Sequence, residues 1–448
     1  MSAKVAPQMP DSHPIAGLFF DFQRDPLDLL ERSRTYGDVV RMRFAYKQNY
    51  VMNHPDAVQE VLVKQADKFR KDDFIRNAFE PFIGNGLTIS EGDHWKKQRK
   101  LLAPAFHAQR IRHYAETIIA QTHLLLEKWQ TEPSRDLQND MVYLTTGIVG
   151  LTLFGDDASQ QSDEISQLLG EVNQLFIERS QQIASLPRWM PTQHNRNLNR
   201  VVSAFDEIVH RFIHERQQTM ADQGDLLSML LLSEDENGNR MSPQEVRDEA
   251  VTIFLAGNDT TASALTWMLY ALTQHPDVLD KIRHEVETIA PNRDLSFEDL
   301  RDLSYLNAVI DEVQRLYPVT WAFSRECIAD CEIMGYHIPA KSIITLPSYS
   351  IHRDPTWWDE PLTFKPERFI GEHQRPKYSY FPFGGGRRVC IGSNLALMEI
   401  RLVVATIVRH MDIVYTNDNP LKPNPMMVMQ PNQRVQMHVT QREIIMQQ

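Results

Sequence analysis

The residues best suited to chemistry lie near the C-terminal end of the sequence, in YFPFGGGRRVCIGSNLALMEIRL at residues 380–402. Cys390 stands between glycines, where the chain can bend sharply, and Arg388 favours the thiolate over the neutral thiol. An apolar helical pattern starting near Ile391 would add N–H groups and the positive end of its dipole. A thiolate presented in this way serves as a nucleophile or a metal ligand. A buried, inert cysteine is the plainer alternative.

The three glycines of this stretch do not form a phosphate-binding loop. A Walker loop requires Gly-Lys-Ser or Gly-Lys-Thr at the start of the helix, whereas Gly386 is followed by Arg387 and Arg388. A dinucleotide-binding turn requires Gly-x-Gly-x-x-Gly after a parallel strand, and the sequence offers neither feature. We therefore interpret the glycines as the means by which the chain bends around Cys390.

A second polar segment, Ala-Gly-Asn-Asp-Thr-Thr at residues 256–261, interrupts a long apolar helical pattern. Ala256 and Gly257 remove side-chain bulk midway along the predicted helix, which would leave space for a ligand. Thr260 follows Gly257 by three residues, so its hydroxyl is expected over that space. Asp259 is an acid where burial is costly, which suggests a function. A polar spot satisfied by backbone hydrogen bonds is the alternative.

The helix that carries this segment has the clearest boundaries in the sequence. Ser242, Pro243 and Glu245 provide an N-cap, a proline at the first helical position and a capping-box glutamate. The pattern continues to His275, just before a proline, which predicts a helix on the order of 48 Å long. A helix of that length must run through the core.

The other patterns predict a helix-dominated chain with small sheets. Residues 37–64 indicate two short strands followed by a helix, and a 3.6-residue apolar period dominates from about 94 to 290, as in EISQLLGEVNQLFIE. The prolines of SLPRWMPTQHN, residues 185–195, separate two of these helices. CEIMGYHIPAKSIITLP predicts a hairpin, and MMVMQPNQRVQMHV predicts another pair of strands. The predicted fold class is mainly α with small β-sheets (α+β).

Length and composition are those of a globular protein. The 448 residues, 42% apolar and 24% charged, are predicted to form a single domain over residues 1–448, with a flexible segment at about residues 1–14. The 59 acidic residues exceed the 47 basic ones, which argues against a nucleic-acid-binding protein. Cys327 and Cys331 lack the C-x-x-C spacing of redox and zinc sites and are interpreted as packed residues. With only three cysteines, a reducing cytoplasm is the predicted location.

No signal peptide or membrane anchor is predicted. The N-terminus lacks a charged and then apolar leader. The most apolar segments are residues 141–155, which are too short to cross a bilayer, and residues 251–272, which contain Asn258 and Asp259.

Residues 383–392 match the haem-binding signature Phe-x-x-Gly-x-Arg-x-Cys-x-Gly of the cytochrome P-450 superfamily at all five fixed positions. The chain resembles that family over about residues 15–445, which implies the cytochrome P-450 fold with its long central helix over the haem. The implied cofactor is heme b, with Cys390 as the axial thiolate ligand of the iron, an arrangement that favours O–O bond cleavage. The other signature residues beside the cofactor are Phe383, Gly386, Arg388 and Gly392.

Two further motifs are similar to those of the family. The segment that contains Asp259 and Thr260 resembles A-G-x-D/E-T-T/S, which implies that this acid and alcohol deliver protons during oxygen activation. Glu312 and Arg315 fit E-x-x-R, and Arg368 lies in a segment that resembles PERF. The resemblance implies that Glu312, Arg315 and Arg368 form a buried triad with a structural role.

Four side chains are implied as partners of the haem propionates. Trp95 and Arg99 resemble the family's W-x-x-x-R, and their spacing places both on one face of a helix. Arg325 and Arg388 match two more such donors. For any one of these arginines, an exposed charge is the alternative.

By analogy with the family, an apolar and aromatic pocket would hold the substrate. Its predicted lining consists of Phe79, Phe82, Leu87, Thr88, Ile253, Phe254, Ala256, Val319, Thr320, Trp321, Ala322, Phe323 and Met427. A lining of this kind predicts a lipophilic substrate such as a fatty acid, terpenoid or steroid.

The resemblance predicts a haem-thiolate monooxygenase that inserts one oxygen atom from O2 into a C–H or C=C bond. No flavin reductase is expected in the chain, so electrons would come from a separate ferredoxin or flavodoxin and its NAD(P)H reductase. Lys96, Lys97, Lys100 and Arg387 could dock such a partner, or could form an ordinary solvated face. A peroxygenase of the same fold that uses H2O2, and a non-enzymatic haem carrier or sensor, remain the alternative functions.

Overall fold

The computed structural model of the protein describes residues 4–155, 189–219, 224–372 and 374–442, together with residues 167, 168, 170–172, 174, 175, 178 and 222. Its contacts group the chain into two compact units. The first unit consists of Met1–Asn77 and Asp311–Cys390, and the second unit of Ala78–Ile310 and Ile391–Gln448. Each unit is thus assembled from two stretches that are distant in sequence. The single domain expected over residues 1–448 stays a prediction.

The elements of the described residues confirm a mainly helical chain with small sheets. The strands are β1 (Val39–Phe44), β2 (Lys47–Met52), β3 (Phe69–Arg70), β4 (Ser134–Asp136), β5 (Phe323–Cys327), β6 (Cys331–Ile333), β7 (Tyr336–Ile338), β8 (Ile343–Leu346), β9 (Met411–Tyr415), β10 (Pro423–Pro425), β11 (Met429–Pro431) and β12 (Gln436–Gln441). The α-helices of the first unit are Phe19–Arg24, Pro26–Ser33, Pro55–Gln59 and Ser348–Ile351. Those of the second unit are Gly92–Leu102, Ala108–Ile111, Ala115–Thr131, Leu137–Phe154, Gln193–Thr219, Leu226–Leu232, Pro243–Gln274, Pro276–Ile289 and Ser393–His410. The helices Asp73–Ile83 and Ser304–Leu316 contain unit boundaries.

The first unit is built on a five-stranded sheet with the order β1-β2-β8-β5-β3. The two strands predicted in residues 37–64 are present and pair with each other, and the Pro55–Gln59 helix follows them. The neighbour of β2 is β8, which pairs with it in parallel, Tyr50 opposite Ile344. The predicted hairpin is confirmed in β6 and β7, with Cys331 opposite Ile338. Val39, Met52, Ile344 and other fully buried side chains form the hydrophobic core beside this sheet.

The N-terminal segment of the first unit packs against the sheet. The backbone N–H of Lys4 donates to Gly335 O at 2.8 Å, and that of Met9 donates to Arg41 O at 2.9 Å. Met9 is also buried, at 2% exposure, in a cluster with residues of β1 and β2. The flexibility expected for residues 1–14 stays a prediction.

The long helix of the second unit, Pro243–Gln274, confirms the predicted boundaries, and we call it the central helix. Ser242 Oγ accepts the N–H of Glu245 at 3.2 Å, and the Glu245 carboxylate accepts the N–H of Ser242 at 2.7 Å. This reciprocal pair is the predicted capping box. From Thr261 to Leu272 every side chain of the helix is buried, with Trp267 at 0% exposure. The helix therefore forms the core of its unit.

The second unit also contains two small sheets, with the orders β4-β12-β9 and β10-β11. The strands predicted in MMVMQPNQRVQMHV are present as β11 and β12, but they do not pair with each other. β11 pairs with β10, whereas β12 pairs with β9 and with β4. β4 interrupts the region in which a helical pattern was predicted, because Gln436 and Met437 offer it an open strand edge at Asp136 and Arg135.

Two predictions fall partly on residues that the structure does not describe. In EISQLLGEVNQLFIE most of the described residues are helical, and the remaining positions lie outside the described residues. Residues 185–188 of SLPRWMPTQHN also lie outside them, whereas the helix that follows begins at Gln193 as the proline pattern suggests. In the described part of the chain, no helix combines the length and apolar character that a membrane crossing requires.

Candidate active site

The loop that ends the first unit presents Cys390. The N–H of Cys390 donates to Phe383 O at 3.1 Å, which closes the loop on itself. Gly386 has a φ of +62°, and a Cβ at this position would overlap the carbonyl oxygen of Leu62. Only glycine accommodates both the left-handed conformation and the close approach of the Leu62 backbone. The bend predicted from the glycines is therefore required by the local packing.

Cys390 differs from the other two cysteines in its exposure. Cys327 and Cys331 are buried with their sulfur atoms 3.5 Å apart, as expected for packed residues, whereas Cys390 is exposed. The helix after it begins at Ser393 with Gly392 as N-cap, two residues later than the predicted start. Cys390 consequently lies in the irregular turn before a helix N-terminus, where backbone N–H groups lack partners within the helix.

The two arginines of the loop have different surroundings in the first unit. They lie in the 3-10 turn Gly386–Arg388, where Arg387 is exposed and donates to the Ala66 carbonyl oxygen at 2.5 Å. Arg388 is half-buried. Arg325, on β5, is 7% exposed and donates to Ser324 O at 2.7 Å. A guanidinium buried to this degree is costly unless its donors have hydrogen-bond partners.

The central helix leaves one stripe of its surface accessible. Ala256 is exposed, and Ile253, Gly257 and Thr260 are partly exposed, although Phe254, Asn258 and Asp259 between them are buried. These four positions follow the i, i+3, i+4, i+7 spacing of a single helix face. Because residues 261–272 of the same helix are all buried, an accessible stripe of small and apolar residues before them suits a flat apolar group lying against it.

Thr260 and Asp259 lie at the C-terminal end of this stripe. The Thr260 hydroxyl donates to Ala256 O at 2.6 Å, so its oxygen remains an acceptor toward the accessible face. Asp259 has 5% of its surface exposed. The preceding Asn258 donates from its side chain to Thr146 Oγ1 at 2.6 Å, which anchors this turn to the Leu137–Phe154 helix.

Gly257 has a different role from the one expected from the sequence. A Cβ at Gly257 would lie 3.2 Å from Val149 Cγ2, a contact tighter than most in proteins. The missing side chain thus lets the Leu137–Phe154 helix approach the central helix closely, and it does not open ligand space on that side. Of the two small residues Ala256 and Gly257, Ala256 is the exposed one.

Trp95 and Arg99 lie on the Gly92–Leu102 helix of the second unit. Trp95 is buried at 7% exposure and Arg99 is half-buried, and their four-residue spacing puts them on one face. The lysines of this helix are all paired with acids of the same unit. Lys96 lies 2.7 Å from Asp93, Lys97 lies 3.8 Å from Glu245, and Lys100 contacts Glu236.

Two acids near the start of the central helix organise a loop, and the sequence reasoning missed them. Asp248 accepts the backbone N–H of Asn85 at 2.9 Å, and its carboxylate occupies the place where a Cβ of Gly84 would stand. Glu249 accepts the N–H of Leu87 at 3.1 Å and has 0% exposure. Burial raises the pKa of Glu249 to about 8. The sequence does contain a signal that could have identified them. Two adjacent acids occur about two turns into a largely apolar helix, directly before the segment AVTIFLA.

The three residues predicted as a buried triad lie together in the first unit. Arg315 donates to both oxygens of Glu312, at 2.7 and 2.8 Å, and Arg368 donates to Glu312 at 3.2 Å. Their side chains are 0%, 0% and 7% exposed for Glu312, Arg315 and Arg368. Arg315 also donates to His352 O at 2.9 Å and Pro361 O at 2.6 Å, so the network connects the helix to the loop at residues 352–369.

The predicted pocket residues of the second unit fall into two groups. The partly or fully exposed ones are Phe79, Thr88, Ile253, Ala256 and Met427. The buried ones are Phe82, Leu87 and Phe254. Phe254 packs with ring centroids 6.1 Å from Phe154 and 6.2 Å from Phe205, which makes it a core residue of the unit.

The predicted pocket residues of the first unit are Val319, Thr320, Trp321, Ala322 and Phe323, all of them half-buried. Trp321 lies 6.3 Å from Phe22 between ring centroids, and Phe323 lies 5.8 Å from Phe381. Both rings are half-buried, so part of their apolar surface remains accessible.

Comparisons with known proteins agree with this arrangement. The sequence profile of the family described as Cytochrome P450 matches residues 7–439. A relative from Streptomyces melanosporofaciens named cyclooctat-9-en-7-ol 5-monooxygenase is 33% identical over 402 residues, covering 89% of this chain and 87% of the relative. The cyclooctatin synthase of the same organism is 31% identical and covers 93% and 92%.

A human relative and a solved structure extend the comparison. The human ultra-long-chain fatty acid omega-hydroxylase is 31% identical over 388 residues, covering 79% of this chain and 72% of the relative. The structure of retinoic acid-bound cyanobacterial CYP120A1 superimposes with a TM-score of 0.88, covering 98% of this chain and 100% of that one at 24% identity. This structural likeness shows that the two chains share a fold.

Proposed function

The chain belongs to the cytochrome P450 family and is a cytochrome P450 monooxygenase, and from that premise we propose that it oxidises a lipophilic organic substrate at a haem held by Cys390. The observation that carries the proposal is Cys390 itself. It is the exposed cysteine of a loop that requires glycine at position 386, and it directly precedes a helix N-terminus. When bound, haem with a thiolate ligand supplies the capacity to cleave the O–O bond of O2.

The surroundings of Cys390 fit a thiolate ligand. Arg388 two residues earlier and the N–H groups at the start of the Ser393–His410 helix would both favour negative charge on the sulfur. Backbone N–H groups that follow the cysteine would tune the electron donation of the sulfur. We propose Phe383, Gly386 and Gly392 as the residues that shape this loop around the cofactor.

Four donors would hold the carboxylates of the cofactor. We propose Trp95, Arg99, Arg325 and Arg388 as hydrogen-bond donors to the propionates. Their support is the resemblance of their segments to the family's motifs, together with their donor groups, which suit carboxylates. An anionic cofactor with two carboxylates matches the three positive charges.

Asp259 and Thr260 would handle the protons of the reaction. The Thr260 hydroxyl already donates to Ala256 O, so its oxygen can accept a hydrogen bond from a group on the accessible face of the central helix. Asp259 beside it is a buried acid that can resupply the proton. We propose that the pair passes protons to the reacting oxygen and that the buried side chains around it exclude bulk water.

The substrate is proposed to be lipophilic and predominantly hydrocarbon. The accessible stripe of the central helix presents Ile253, Ala256 and Gly257, which offer no charge to a ligand. Relatives named for cyclooctat-9-en-7-ol and for ultra-long-chain fatty acids act on compounds of this kind. We propose a terpenoid alcohol or a long-chain fatty acid as the class to test first.

Electrons are proposed to come from a ferredoxin or flavodoxin and its NAD(P)H reductase. The lysines of the Gly92–Leu102 helix are less suited to docking than their number suggests, because Asp93, Glu245 and Glu236 neutralise them. Arg387 is exposed but has a backbone partner in Ala66 O. The electron donor is therefore best identified by turnover assays with a panel of donor proteins.

The test is a spectral titration of the haem-loaded protein with terpenoid alcohols and long-chain fatty acids, followed by product analysis with NAD(P)H and donor proteins. We expect a change of the haem spin state for at least one class and an oxygenated product. Thr260→Ala should reduce the product formed per NAD(P)H by roughly tenfold or more, and Thr260→Ser should restore it. Product formation with H2O2 but not with O2 and reductant would instead indicate a peroxygenase. The absence of any spectral response and product with both classes would contradict the proposed substrate.

A further inference from the structure

Two histidines and an aspartate from three different segments converge on the surface of the second unit. His123 lies on the Ala115–Thr131 helix, His410 is the last residue of the Ser393–His410 helix, and Asp294 lies in the loop after the Pro276–Ile289 helix. His123 Nε2 is 2.7 Å from Asp294 Oδ2, and His410 Nε2 is 3.2 Å from Asp294 Oδ1. The two imidazole rings have centroids 5.2 Å apart.

We propose that His123, Asp294 and His410 form a binding site for one divalent transition-metal ion of the zinc, nickel or copper class. One ligand atom from each side chain lies within 4.8 Å of the others. Two imidazoles and one carboxylate are a donor set that such ions bind, whereas calcium and magnesium prefer oxygen ligands alone. The site is separate from the residues proposed to hold the haem.

The contacts of the two histidines with Asp294 are close to the spacing that an ion requires, and they reach the two different oxygens of its carboxylate. Ligands of a tetrahedral ion with bonds near 2 Å lie about 3.3 Å apart. The contact of His410 with Asp294, at 3.2 Å, already has this spacing, and the contact of His123 with Asp294 must open from 2.7 Å. A surface side chain can make such a shift by a change of rotamer. The ion would take the place of the two contacts with the carboxylate, and each neutral imidazole would bind it through Nε2 with its one N–H proton on Nδ1.

The exposure of the three side chains allows an ion to enter. His123 is 38% exposed, and Asp294 and His410 are each 30% exposed. Water can complete the coordination on the solvent side.

Three arginines lie near the cluster, and their partners decide how strongly they oppose a bound cation. Arg409 interacts with Asp294 and with Glu287. Arg442 lies 2.6 Å from Glu287 and Arg293 lies 2.6 Å from Asp299, so these two arginines have carboxylate partners of their own. Arg409 is thus the charge that most opposes a bound cation. Its presence favours ions that bind imidazole strongly over ions that rely on charge alone.

A metal at this position would connect three elements of the second unit. The Ala115–Thr131 helix and the end of the Ser393–His410 helix would share one ion with the loop at residues 290–297. Because the ligands are assembled only in the folded chain, the bound ion would stabilise that state.

The test uses haem-loaded protein without an affinity tag, treated with a chelator that is then removed. Calorimetric titration with Zn2+ should show one site, and His123→Gln and His410→Gln should each weaken it at least tenfold. His210→Gln, at an exposed histidine of the Gln193–Thr219 helix, is the matched control and should bind Zn2+ like the wild type. Equal affinity of the wild type and both cluster variants, or no binding by the wild type, would overturn the proposal.

A measurement on the wild type alone avoids dependence on variants that fold poorly. Pulsed electron paramagnetic resonance of one equivalent of added Cu2+ counts the coordinated imidazoles. Two are expected at this site, whereas none or one would contradict it. The absorption spectrum of the haem should stay the same throughout, which separates binding here from binding at Cys390.

Discussion

The carboxyl group of Glu249 on the central helix accepts the backbone N–H of Leu87 at 3.1 Å. Its second oxygen is buried and has no hydrogen-bond partner among the described residues. Burial, with smaller contributions from Asp248 and Glu245, raises the pKa of Glu249 to about 8, although the Leu87 hydrogen bond acts in the opposite direction. The folded protein therefore keeps this acid neutral at pH 7, and a neutral acid holds the loop that contains Leu87.

This relationship predicts how stability depends on pH. Between the unfolded value of 4.5 and about 8, the folded state retains a proton that the unfolded state has lost. Stability should thus fall as pH rises through this window, by at most about 1.4 kcal/mol per pH unit from this group. Glu249→Gln, which keeps the acceptor for Leu87 but cannot ionise, should flatten the decline in denaturant unfolding measured from pH 5 to 8.

Glu399 provides the comparison for that experiment. It is buried on the Ser393–His410 helix, and burial raises its pKa to about 8 as well. Glu399→Gln should remove a similar part of the pH dependence, and the double variant should remove the sum if the two groups are independent. An unchanged slope in the Glu249→Gln protein would show that Glu249 is ionised in the folded state.

Loss of the carboxylate should lower the free energy of unfolding far more in the buried Glu312 network than in a surface ion pair of the same unit. Glu312→Gln leaves Arg315 and Arg368 without their carboxylate, which should cost about 3–5 kcal/mol of the free energy of unfolding. The control is Glu360→Gln, which removes an exposed partner 3.2 Å from Lys365 and should cost less than about 1 kcal/mol. Similar losses in the two variants, measured by urea unfolding, would contradict the structural importance of the network.

Gly386 should be indispensable for the loop around Cys390. In Gly386→Ala the new methyl group would overlap Leu62 O, and the residue would also have to keep a φ of +62°. We expect loss of haem incorporation, measured as haem content per purified protein. Gly371→Ala is the control that separates the cost of the positive φ from the cost of the steric overlap. Gly371 has a φ of +87°, but nothing lies within 4 Å of a Cβ at this position. That variant should cost about 1–2 kcal/mol and retain haem. If Gly386→Ala retained haem equally well, the close approach of Leu62 would not be a constraint.

The packing of Gly257 against Val149 predicts a non-additive pair of substitutions. In the wild-type background, Gly257→Ala gains about 1 kcal/mol of helix propensity but must displace Val149 Cγ2, which is only 3.2 Å away. In a Val149→Ala background the space is free, so the same change should stabilise by up to about 1 kcal/mol. A double-mutant cycle from thermal unfolding measures the difference. Equal effects in both backgrounds would mean that the two helices do not restrict position 257.

Local signals in the sequence were sufficient for the elements that carry the site. The capping box at Ser242 and Glu245 determined the start of the central helix, because both partners lie within one turn of each other. The glycines before Cys390 predicted a tight bend. The presence of β1, β2, β6 and β7 also followed from alternating patterns and short turns.

Relationships between distant segments could not be read in this way. β8 pairs with β2 although about 290 residues separate them, and β12 selects β4 and β9 instead of its neighbour β11. Which strands pair depends on burial and on strand-edge hydrogen bonding in the assembled unit, and no local sequence pattern indicates it.

The sequence by itself determined the residue types of the chemistry: a thiolate between glycines, an acid and an alcohol in a helix, and the motifs that identify the family. Only the tertiary structure decided which face of the central helix is accessible, that Gly257 serves helix packing, and that Glu249 is neutral. It also brought His123, Asp294 and His410 together. The physical reason is that a pKa, an exposed face or a metal site depends on neighbours from remote parts of the chain, whereas a motif depends on the residues beside it.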